Sequence, residues 1–305
     1  MNKLPVWIDG DPGVDDAAAI FVAHDRAELE IVGISAVAGN APLDKTTRNA
    51  LCLCDMMGAN YPVYRGASGP LMRKYEDGAE FHGADGMGGA CLPDPKRREE
   101  NMSAWDGLFE AAKKYEGRLE VVAMGPLTNI ALALSKYPEL KDLIHRIAIM
   151  GGSITRGNRT PCAEYNIFAD PEAAQIVFRS GAKIVMCSLE VTEKAYLTTQ
   201  ELESLRSTPN GEFYYQVSKH ILEKNLEAGH EGFCIHDVCP VLYLAREDIF
   251  QGEEAGVYVE TQSELTLGKT VCDLYSDKQF DHKNTFVVLD IDRAAFVEAV
   301  RSAFK

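Results

Sequence analysis

Short apolar runs alternate with helical patterns through the first 190 residues of the chain. The apolar runs occupy residues 6–8, 31–37, 120–124, 147–150 and 183–187. The helical patterns between them include residues 16–23, 46–57 and 127–134. Near-continuous apolar strands separated by helices are typical of a parallel sheet covered on both faces. The pattern therefore predicts an α/β fold with a mainly parallel central sheet flanked by helices.

The rest of the chain follows a different pattern. Residues 198–244 are mostly helical in character, with breaks at 209–211 and 229–232. Residues 256–290 contain alternating stretches, and a last helical pattern covers 293–304. Because no repeat, flexible linker or low-complexity segment divides the sequence, we expect residues 1–305 to form a single domain.

Charge excludes several classes of partner. The chain has 31 Lys and Arg against 46 Asp and Glu, a formal net charge of −15. Such a surface repels phosphate backbones and anionic lipids, so nucleic acids and membranes are not expected partners. No apolar run reaches the roughly 18–20 residues that span a bilayer. A carboxylate at Asp9 comes too early for a signal-peptide core, and we expect a cytoplasmic protein.

The eight cysteines raise the question of a metal or disulfide framework. Cys234 and Cys239 flank His236 and Asp237, a grouping that zinc sites also use. The chain has no CxxC pair, however, and both thiols have apolar neighbours in sequence. Buried, reduced and chemically inert thiols are therefore the preferred interpretation.

Polar motifs directly follow four of the predicted strands. They are Asp9-Gly-Asp-Pro-Gly-Val-Asp-Asp16, Ala38-Gly-Asn40, Met124-Gly-Pro-Leu-Thr-Asn129 and Met150-Gly-Gly-Ser153. The carboxyl ends of parallel strands share one edge of a sheet, and ligands bind in the crevice outside them. We expect the four motifs to line one pocket.

The first motif carries four carboxylates around a Pro-Gly turn, at Asp9, Asp11, Asp15 and Asp16. Helix capping is the purely structural explanation, and it accounts for Asp15 and Asp16 near a helix start. It leaves the other two acids unexplained. Crowded carboxylates raise one another's pKa unless a cation neutralises them. Several carboxylates with backbone carbonyls suit Ca²⁺, with Mg²⁺ as the second choice.

Two further groups of polar residues are candidates for the same pocket. Asp237 would add a carboxylate ligand and His236 a proton donor, unless the pair is only a buried helix cap. Asp170 with Pro171 reads as a structural helix start. Asn158, Glu164 and Asn166 have no such local role in the sequence, and they suit recognition of sugar hydroxyls. These last three residues are therefore candidate ligand contacts.

Taken together, the motifs resemble the calcium-dependent nucleoside hydrolases, the inosine-uridine-preferring N-ribohydrolase family. To the four strand-end motifs the resemblance adds Phe81-His-Gly-Ala-Asp-Gly86, Ala163-Glu-Tyr-Asn-Ile-Phe-Ala-Asp-Pro-Glu-Ala-Ala174 and His236-Asp237. The matches run in the family's order and span residues 5–240, whereas residues 245–305 add no site motif. Gly10 departs from the family, which commonly has a small side chain there. The resemblance implies a Rossmann-like nucleoside hydrolase fold with the site at the carboxyl ends of the strands.

The resemblance also implies a role for each matching residue. Calcium would be held by Asp11, Asp16, Asp237 and the backbone carbonyl of Met124. The ribose would be gripped by Asp15, Asn40, Met150, Asn158, Glu164 and Asn166. His82 and His236 would lie on the base side of the pocket, and Asp9 would support the ligand loop.

The implied reaction is hydrolysis of the N-glycosidic bond of a ribonucleoside to ribose and free base. Asp11 would deprotonate a calcium-bound water that attacks C1′, and Asn166 with Glu164 would stabilise the oxocarbenium charge. His236 would protonate the leaving base. Members of the family are usually homodimers or homotetramers, so we expect one of these states.

Several alternatives stay open at this point. A sensor that binds nucleosides without catalysis is the second candidate, and a phosphatase of the haloacid dehalogenase type is a third. The sequence decides neither purine against pyrimidine nor His82 against His236 as the proton donor. His220 and Lys224, four residues apart, either form a solvated helix face or turn toward the base.

Overall fold

A computed structural model of the protein describes residues 3–76, 78, 83–90, 92–275 and 279–305. Its strands are β1 (Leu4–Gly10), β2 (Leu29–Ala36), β3 (Val63–Arg65), β4 (Glu100–Ser103), β5 (Leu119–Ala123), β6 (Ile144–Met150), β7 (Ile184–Cys187), β8 (Tyr196–Thr198), β9 (Gly232–Cys234), β10 (Phe250–Ala255), β11 (Val257–Val259), β12 (Thr270–Cys272) and β13 (Thr285–Ile291). Its helices are α1 (Val14–Asp25), α2 (Leu43–Met56), α3 (Ala104–Tyr115), α4 (Thr128–Lys136), α5 (Leu140–Leu143), α6 (Tyr165–Ala169), α7 (Pro171–Phe178), α8 (Leu189–Thr192), α9 (Thr199–Ser204), α10 (Pro209–Glu227), α11 (Val238–Ala245) and α12 (Arg293–Ser302).

Nine strands form one central sheet in the order β10-β13-β7-β6-β5-β1-β2-β3-β4. All neighbours pair in parallel except β10, which lies antiparallel to β13 at one edge. This confirms the predicted mainly parallel α/β architecture. Strand β3 and the edge strand β4 were not predicted, because they are short and β4 is largely exposed and polar.

Helices cover both faces of the sheet and form two hydrophobic cores. One core is built around α1 and α11, with residues such as Ile20 and Val241 at 0 % exposure. The other is built around α4 and α7, with Ile130 and Phe178 almost fully buried. Because both faces are covered, the strands are apolar along their whole length, which is the pattern seen in the sequence. No helix in the described ranges is both long enough and apolar enough to cross a lipid bilayer.

The first helix after the sheet's central strand is buried on all sides. Every residue from 14 to 23 is buried, and three consecutive alanines, Ala17, Ala18 and Ala19, let neighbouring helices approach closely. The Asp16 carboxylate accepts a hydrogen bond from the Gly13 amide at 2.9 Å and so closes the helix N-terminus. Burial of α1 therefore carries Asp16 into the interior directly below the end of β1.

Candidate active site

A cavity of about 660 Å³ opens at the carboxyl ends of the central strands. Each of the four strand-end motifs contributes to its lining, through Asp15, Asn40, Met124 and Met150. The strand order explains this, because β1 lies between β2 and β5 and β6 follows β5. The structure thus brings together the motifs that the sequence analysis expected in one pocket. We call Asp11, Asp16, Asp237, Asn40 and Met124 the floor: the last three line the cavity, whereas Asp11 and Asp16 are fully buried and accept hydrogen bonds from Asn40.

The Asp11 carboxylate is held in one place by the backbone around it. One carboxylate oxygen, Oδ2, accepts a hydrogen bond from the Asn40 amide at 2.5 Å. Gly39 and Gly125 flank the carboxylate so closely that a Cβ on Gly39 would lie 2.0 Å from Oδ2, and a Cβ on Gly125 2.7 Å from Oδ1. These two glycines are therefore required by the close approach of the backbone to Asp11.

Three acids meet beside Asp11. Asp15, Asp16 and Asp237 each bring one carboxylate oxygen into a group whose atoms all lie within 4.8 Å of one another. Asp15 and Asp16 come from the first turn of α1, and Asp237 precedes α11, which packs against α1. The family resemblance implies Asp11, not Asp15, as a metal ligand, whereas this tight group contains Asp15 and not Asp11. Asp11 and Asp16 are linked through Asn40, whose Nδ2 donates to Asp16 Oδ2 at 3.3 Å.

Burial sets the protonation behaviour of these acids. It raises the pKa of Asp16 to about 7, with a further contribution from the charge of Asp15. It also raises the pKa of Asp11 and Asp237 well above the usual range, and repulsion from the neighbouring carboxylates adds to the effect. A group of buried acids that resists ionisation is what a bound cation would relieve.

The floor residues fit a hard metal ion. Among the described residues, Asp11 Oδ1 and Asp16 Oδ1 are buried without a hydrogen-bond partner. No Lys or Arg of the described ranges forms an ion pair with Asp11, Asp16 or Asp237. Burying a carboxylate oxygen without a partner destabilises the fold unless a cation binds to that oxygen. The cluster, with oxygen donors only, could therefore bind a divalent metal of the Ca²⁺ or Mg²⁺ type.

Asp9 has a different position from the other acids. It is fully buried below the floor, and its Oδ1 accepts hydrogen bonds from Ser35 Oγ and from Asn129 Nδ2, the latter at 2.7 Å. Burial raises the pKa of Asp9 to about 7 despite these two bonds. Through Asn129, which also donates to the Ala36 carbonyl, Asp9 connects the ends of β1 and β2 with the start of α4.

Asn166 joins two strand ends from above. Its Nδ2 lies 2.8 Å from the Met124 carbonyl oxygen and 3.1 Å from that of Met150. A carbonyl has two lone pairs, so the Met124 oxygen keeps one for another ligand. Asn166 is 5 % exposed and lines the cavity.

The expectation that Asn158 and Glu164 lack a local role is wrong. Glu164 is the N-cap of the short helix α6, and its carboxylate accepts backbone hydrogen bonds from Asn166 at 2.8 Å and Ile167 at 3.1 Å. It also accepts one from Gly152 at 3.0 Å, while burial raises its pKa to about 7. Asn158 Oδ1 accepts from the Tyr165 amide at 2.9 Å. Both side chains cap local backbone and also line the cavity.

His236 lines the cavity, and one of its ring nitrogens forms a hydrogen bond within the protein. Its Nδ1 lies 2.8 Å from Thr192 Oγ1, at the end of α8. Burial lowers the pKa of His236, against the opposing effect of the Asp15 charge. His82, the other histidine of the sequence analysis, lies outside the described residues.

The loop after β6 is braced on both sides. Lys269 Nζ donates to the carbonyl oxygens of Ser153 at 3.0 Å and Ile154 at 2.7 Å. The Glu190 carboxylate accepts from the amides of Ile154 at 3.0 Å and Thr155 at 2.8 Å. The C-terminal part of the chain, which shows no site motif in sequence, thus supports the cavity through Lys269.

One part of the cavity lining was not predicted. It consists of Ile221 and Asn225 of α10 and of His230, Phe233 and Cys234 in the segment that follows. We call these five residues the far wall.

Neither His220 nor Lys224 belongs to the far wall. Lys224 is exposed, and the cavity-lining positions of α10 lie one residue further along the helix, about 100° around its axis. The interpretation of these two residues as a solvated helix face therefore fits the described geometry better. A spacing of four residues does place two side chains on one helix face, but the face that lines the cavity carries Ile221 and Asn225, one residue after His220 and Lys224.

Two arginines at the rim were also missed. Arg156 lies 2.8 Å from Glu193 Oε1, and Arg159 lies 2.7 Å from Glu76 Oε2. Both line the cavity, and both are already neutralised by an ion pair. The only sequence signal was their position in the polar run before Glu164.

The cysteine pair does not build a metal site. Cys239 is fully buried, and burial raises its pKa well above the usual value. Cys234 differs from the expectation in being only partly buried and in lining the cavity, although burial raises its pKa to about 12. Within the described ranges, the group that could hold a metal contains only aspartates. Cys234 and Cys239 are free thiols.

Comparison with known proteins identifies the family. The sequence model described as inosine-uridine preferring nucleoside hydrolase matches residues 6–298. The chain is 42% identical over 299 residues to the non-specific ribonucleoside hydrolase RihC of Escherichia coli (strain K12), which covers 98% of this chain and 97% of RihC. Among solved structures, the purine-preferring ribonucleoside hydrolase from Gardnerella vaginalis is similar with 33% identity and a TM-score of 0.93 over 98% of each chain. The plant nucleoside hydrolase PpNRh1 enzyme follows with 29% identity and a TM-score of 0.92 over 99% of each.

These similarities cover nearly the whole chain and agree with the motifs and with the fold. They confirm the resemblance drawn from the sequence. The chain therefore belongs to the inosine-uridine preferring nucleoside hydrolase family.

Proposed function

We propose that the protein hydrolyses the N-glycosidic bond of ribonucleosides and releases ribose and the free base. The observation that carries the proposal is the group of acids at the cavity, in which Asp15, Asp16 and Asp237 converge beside Asp11. Family membership and the names of the relatives, which are ribonucleoside hydrolases, support the same reaction. A water and a sugar bound at this floor would lie among buried carboxylates and amides.

We propose Ca²⁺ as the metal, held by Asp11, Asp16, Asp237 and the Met124 carbonyl. The unpartnered oxygens of Asp11 and Asp16 and the free lone pair of Met124 support this donor set. Hard carboxylate and carbonyl oxygens in this number suit Ca²⁺ better than Mg²⁺, which retains more of its waters. When bound, Ca²⁺ would supply positive charge to the ribose diol and to a water molecule.

Asp11 takes the proton from the attacking water in this mechanism. The water oxygen bonds to C1′ while the C1′–N bond breaks, and the electron pair of the C1′–N bond passes to the base. The Asn40 amide and the two flanking glycines keep that carboxylate in one orientation.

The ribose is held by side chains whose own positions are fixed by the backbone. Its proposed contacts are Asp15, Asn40, Met150, Asn158, Glu164 and Asn166. Of these, Asn166 and Glu164 carry oxygens that would stabilise positive charge developing on the sugar ring. Their hydrogen bonds to strand ends and helix amides give them little freedom to reorient, which is the condition for preorganised stabilisation.

His236 donates its cavity-facing proton to the leaving base, with His82 as the other candidate donor. In the charged form the ring loses that proton to the base nitrogen that receives the electron pair. Asp11 holds the proton taken from water, and exchange with solvent restores both groups.

The far wall faces the base. Ile221, Phe233 and Asn225 offer apolar surface and a neutral amide, which suit either class of base. The name of the RihC relative is non-specific ribonucleoside hydrolase. We therefore propose that purine and pyrimidine ribonucleosides are both accepted.

We also propose that the protein acts in the cytoplasm as a homodimer or homotetramer. Free cysteines throughout the described residues suit a reducing compartment. Exposed apolar side chains such as Met72 and Leu265, 79% and 86% exposed, are available for contacts between copies. Light scattering coupled to size exclusion measures the oligomeric state directly.

Ribose release tests the main proposal. Inosine, adenosine, uridine and cytidine are incubated with the protein, with EDTA, and with EDTA followed by excess Ca²⁺. We expect release that EDTA abolishes and Ca²⁺ restores. Calorimetric binding of the same nucleosides with no ribose released would instead establish the nucleoside-binding protein.

A further inference from the structure

Thr192 reaches His236 from outside the cavity. Its Oγ1 lies 2.8 Å from His236 Nδ1, and the residue is 0 % exposed. Its amide bonds to the Ser188 carbonyl at 3.0 Å, which fixes its backbone at the end of α8. Because α8 follows β7 almost directly, Thr192 is anchored to the central sheet.

When the His236 ring is neutral, the Thr192 hydroxyl has a single hydrogen-bond acceptor among the described residues. A buried hydroxyl needs an acceptor within the protein, and in the described part of the chain its Oγ1 bonds only to His236 Nδ1. The hydroxyl therefore donates to Nδ1 when the ring is neutral, and the ring proton must then lie on Nε2. Since Nδ1 is engaged and His236 lines the cavity, Nε2 is the nitrogen available to a ligand.

A hydroxyl also suits the charged ring. Threonine can accept a hydrogen bond from Nδ1–H as well as donate one to Nδ1, so the contact survives protonation. The same ring orientation is thus kept in both protonation states. Glu193, the charged residue after Thr192, is paired with Arg156 and does not replace this contact.

We propose that Thr192 is a positioning residue for nucleoside hydrolysis, which orients His236 and keeps a proton on the Nε2 that faces the leaving base. The inference rests on the proposed function, in which His236 assists departure of the base. Thr192 itself touches neither sugar nor base, since it does not line the cavity.

Two variants separate the hydroxyl from the shape of the side chain. Thr192→Val removes the donor, and Thr192→Ser keeps it. We expect T192V to lower kcat for inosine by about 10- to 100-fold, part of the 10²–10⁴-fold that a positioned acid supplies. KM should change little, and T192S should restore most of the rate.

A substrate with an activated leaving group distinguishes a positioning role from a merely structural one. A structural defect would lower the rate on this substrate and on inosine alike, whereas loss of His236 positioning would lower only the rate on inosine. The phenolate released from p-nitrophenyl β-D-ribofuranoside departs without a proton, so it does not need His236. We expect T192V to hydrolyse this compound at nearly the rate of the unmodified enzyme. An equal loss on both substrates would overturn the proposal, as would full activity of T192V on inosine.

His236→Ala separates this proposal from the one beneath it. We expect T192V to add no further loss on inosine in the H236A background. If the unmodified protein releases no ribose with Ca²⁺ present, the proposed function fails. If it releases ribose and H236A is fully active, nucleoside hydrolysis stands but the positioning role of Thr192 is overturned.

Discussion

The floor of the cavity and its far wall are built in different ways. The floor consists of strand ends and the first turns of α1 and α11, and Asp11, Asp16 and Asp237 in it are at most 3 % exposed. The far wall consists of residues from α10 and the segment after it, where Asn225 is partly exposed and His230 is exposed. Fixed backbone thus positions the chemistry, whereas side chains that can vary without disturbing the sheet face the base. The floor should tolerate almost no change, and the wall should tolerate many.

Removing the charge of Asp11 breaks the floor most severely. We expect Asp11→Asn to lower kcat for inosine by about 10³–10⁴-fold, because it removes the proposed base and a metal donor together. Ribose release measures the loss, and calorimetry with Ca²⁺ measures the weaker metal binding. Activity within tenfold of the unmodified protein would show that another group removes the proton.

A single added methyl group should come next. Gly39→Ala places a Cβ 2.0 Å from Asp11 Oδ2, so the carboxylate must move. Displacing a reacting group by about 1 Å costs on the order of 10²-fold in rate, and we expect a loss of that size in kcat. Gly69→Ala is the matched control, since its Cβ would meet only Tyr75 at 3.5 Å, and it should stay within about twofold. Equal behaviour of the two variants would contradict the proposed constraint.

Changes in the far wall should alter preference more than rate. We expect Asn225→Ala to shift the ratio of kcat/KM for inosine and uridine by up to about tenfold, the value of one hydrogen bond. Lys224→Ala, next to it on the same helix but outside the cavity lining, is the matched control and should leave the ratio unchanged. A larger effect from K224A would restore the alternative in which that side chain faces the base.

The smallest effect concerns the stability of the metal-free protein. Burial raises the pKa of Asp9, Asp16 and Glu164 to about 7 in the fold, so the folded state binds more protons than the unfolded chain between about pH 4 and 7. Stability therefore falls as pH rises through this window. In EDTA we expect Tm to be about 5 °C lower at pH 7.5 than at pH 5.5.

Two controls sharpen the pH experiment. Excess Ca²⁺ favours the charged floor acids, so it should raise Tm more at pH 7.5 than at pH 5.5. Asp16→Asn cannot ionise and should show a smaller fall in EDTA. A Tm in EDTA that rises with pH across the window would mean that the floor acids are stabilised by something other than protons.

The contrast between floor and wall also explains what could be predicted from the sequence. The floor motifs are local, because Asp9 to Asp16 cover the end of one strand and the turn after it, and Gly39-Asn40 come soon after the next strand. Parallel strands then bring such motifs together without further information. The far wall depends on the rotation of α10, and a shift of one residue separates Asn225 from Lys224.

Local capping was the other limit of prediction. The helix α6, Tyr165–Ala169, has five residues, too few to show helical periodicity, so Glu164 could not be seen as its N-cap. The longer helix beginning at Pro171 had a visible start signal, and Asp170 does cap it. Thr192 was missed for a similar reason, since its partner His236 is 44 positions away along the chain.

The brace around the loop after β6 has a consequence for motion. Lys269 holds its carbonyl groups and Glu190 holds its amide groups, so the loop cannot leave the sheet unless both contacts break together. The amides of Ile154 and Thr155 should therefore exchange with deuterium as slowly as those of a regular helix, although they lie in a loop. The side of the cavity that this loop forms should therefore exchange more slowly than the side formed by α10, where a released base has the looser boundary to pass.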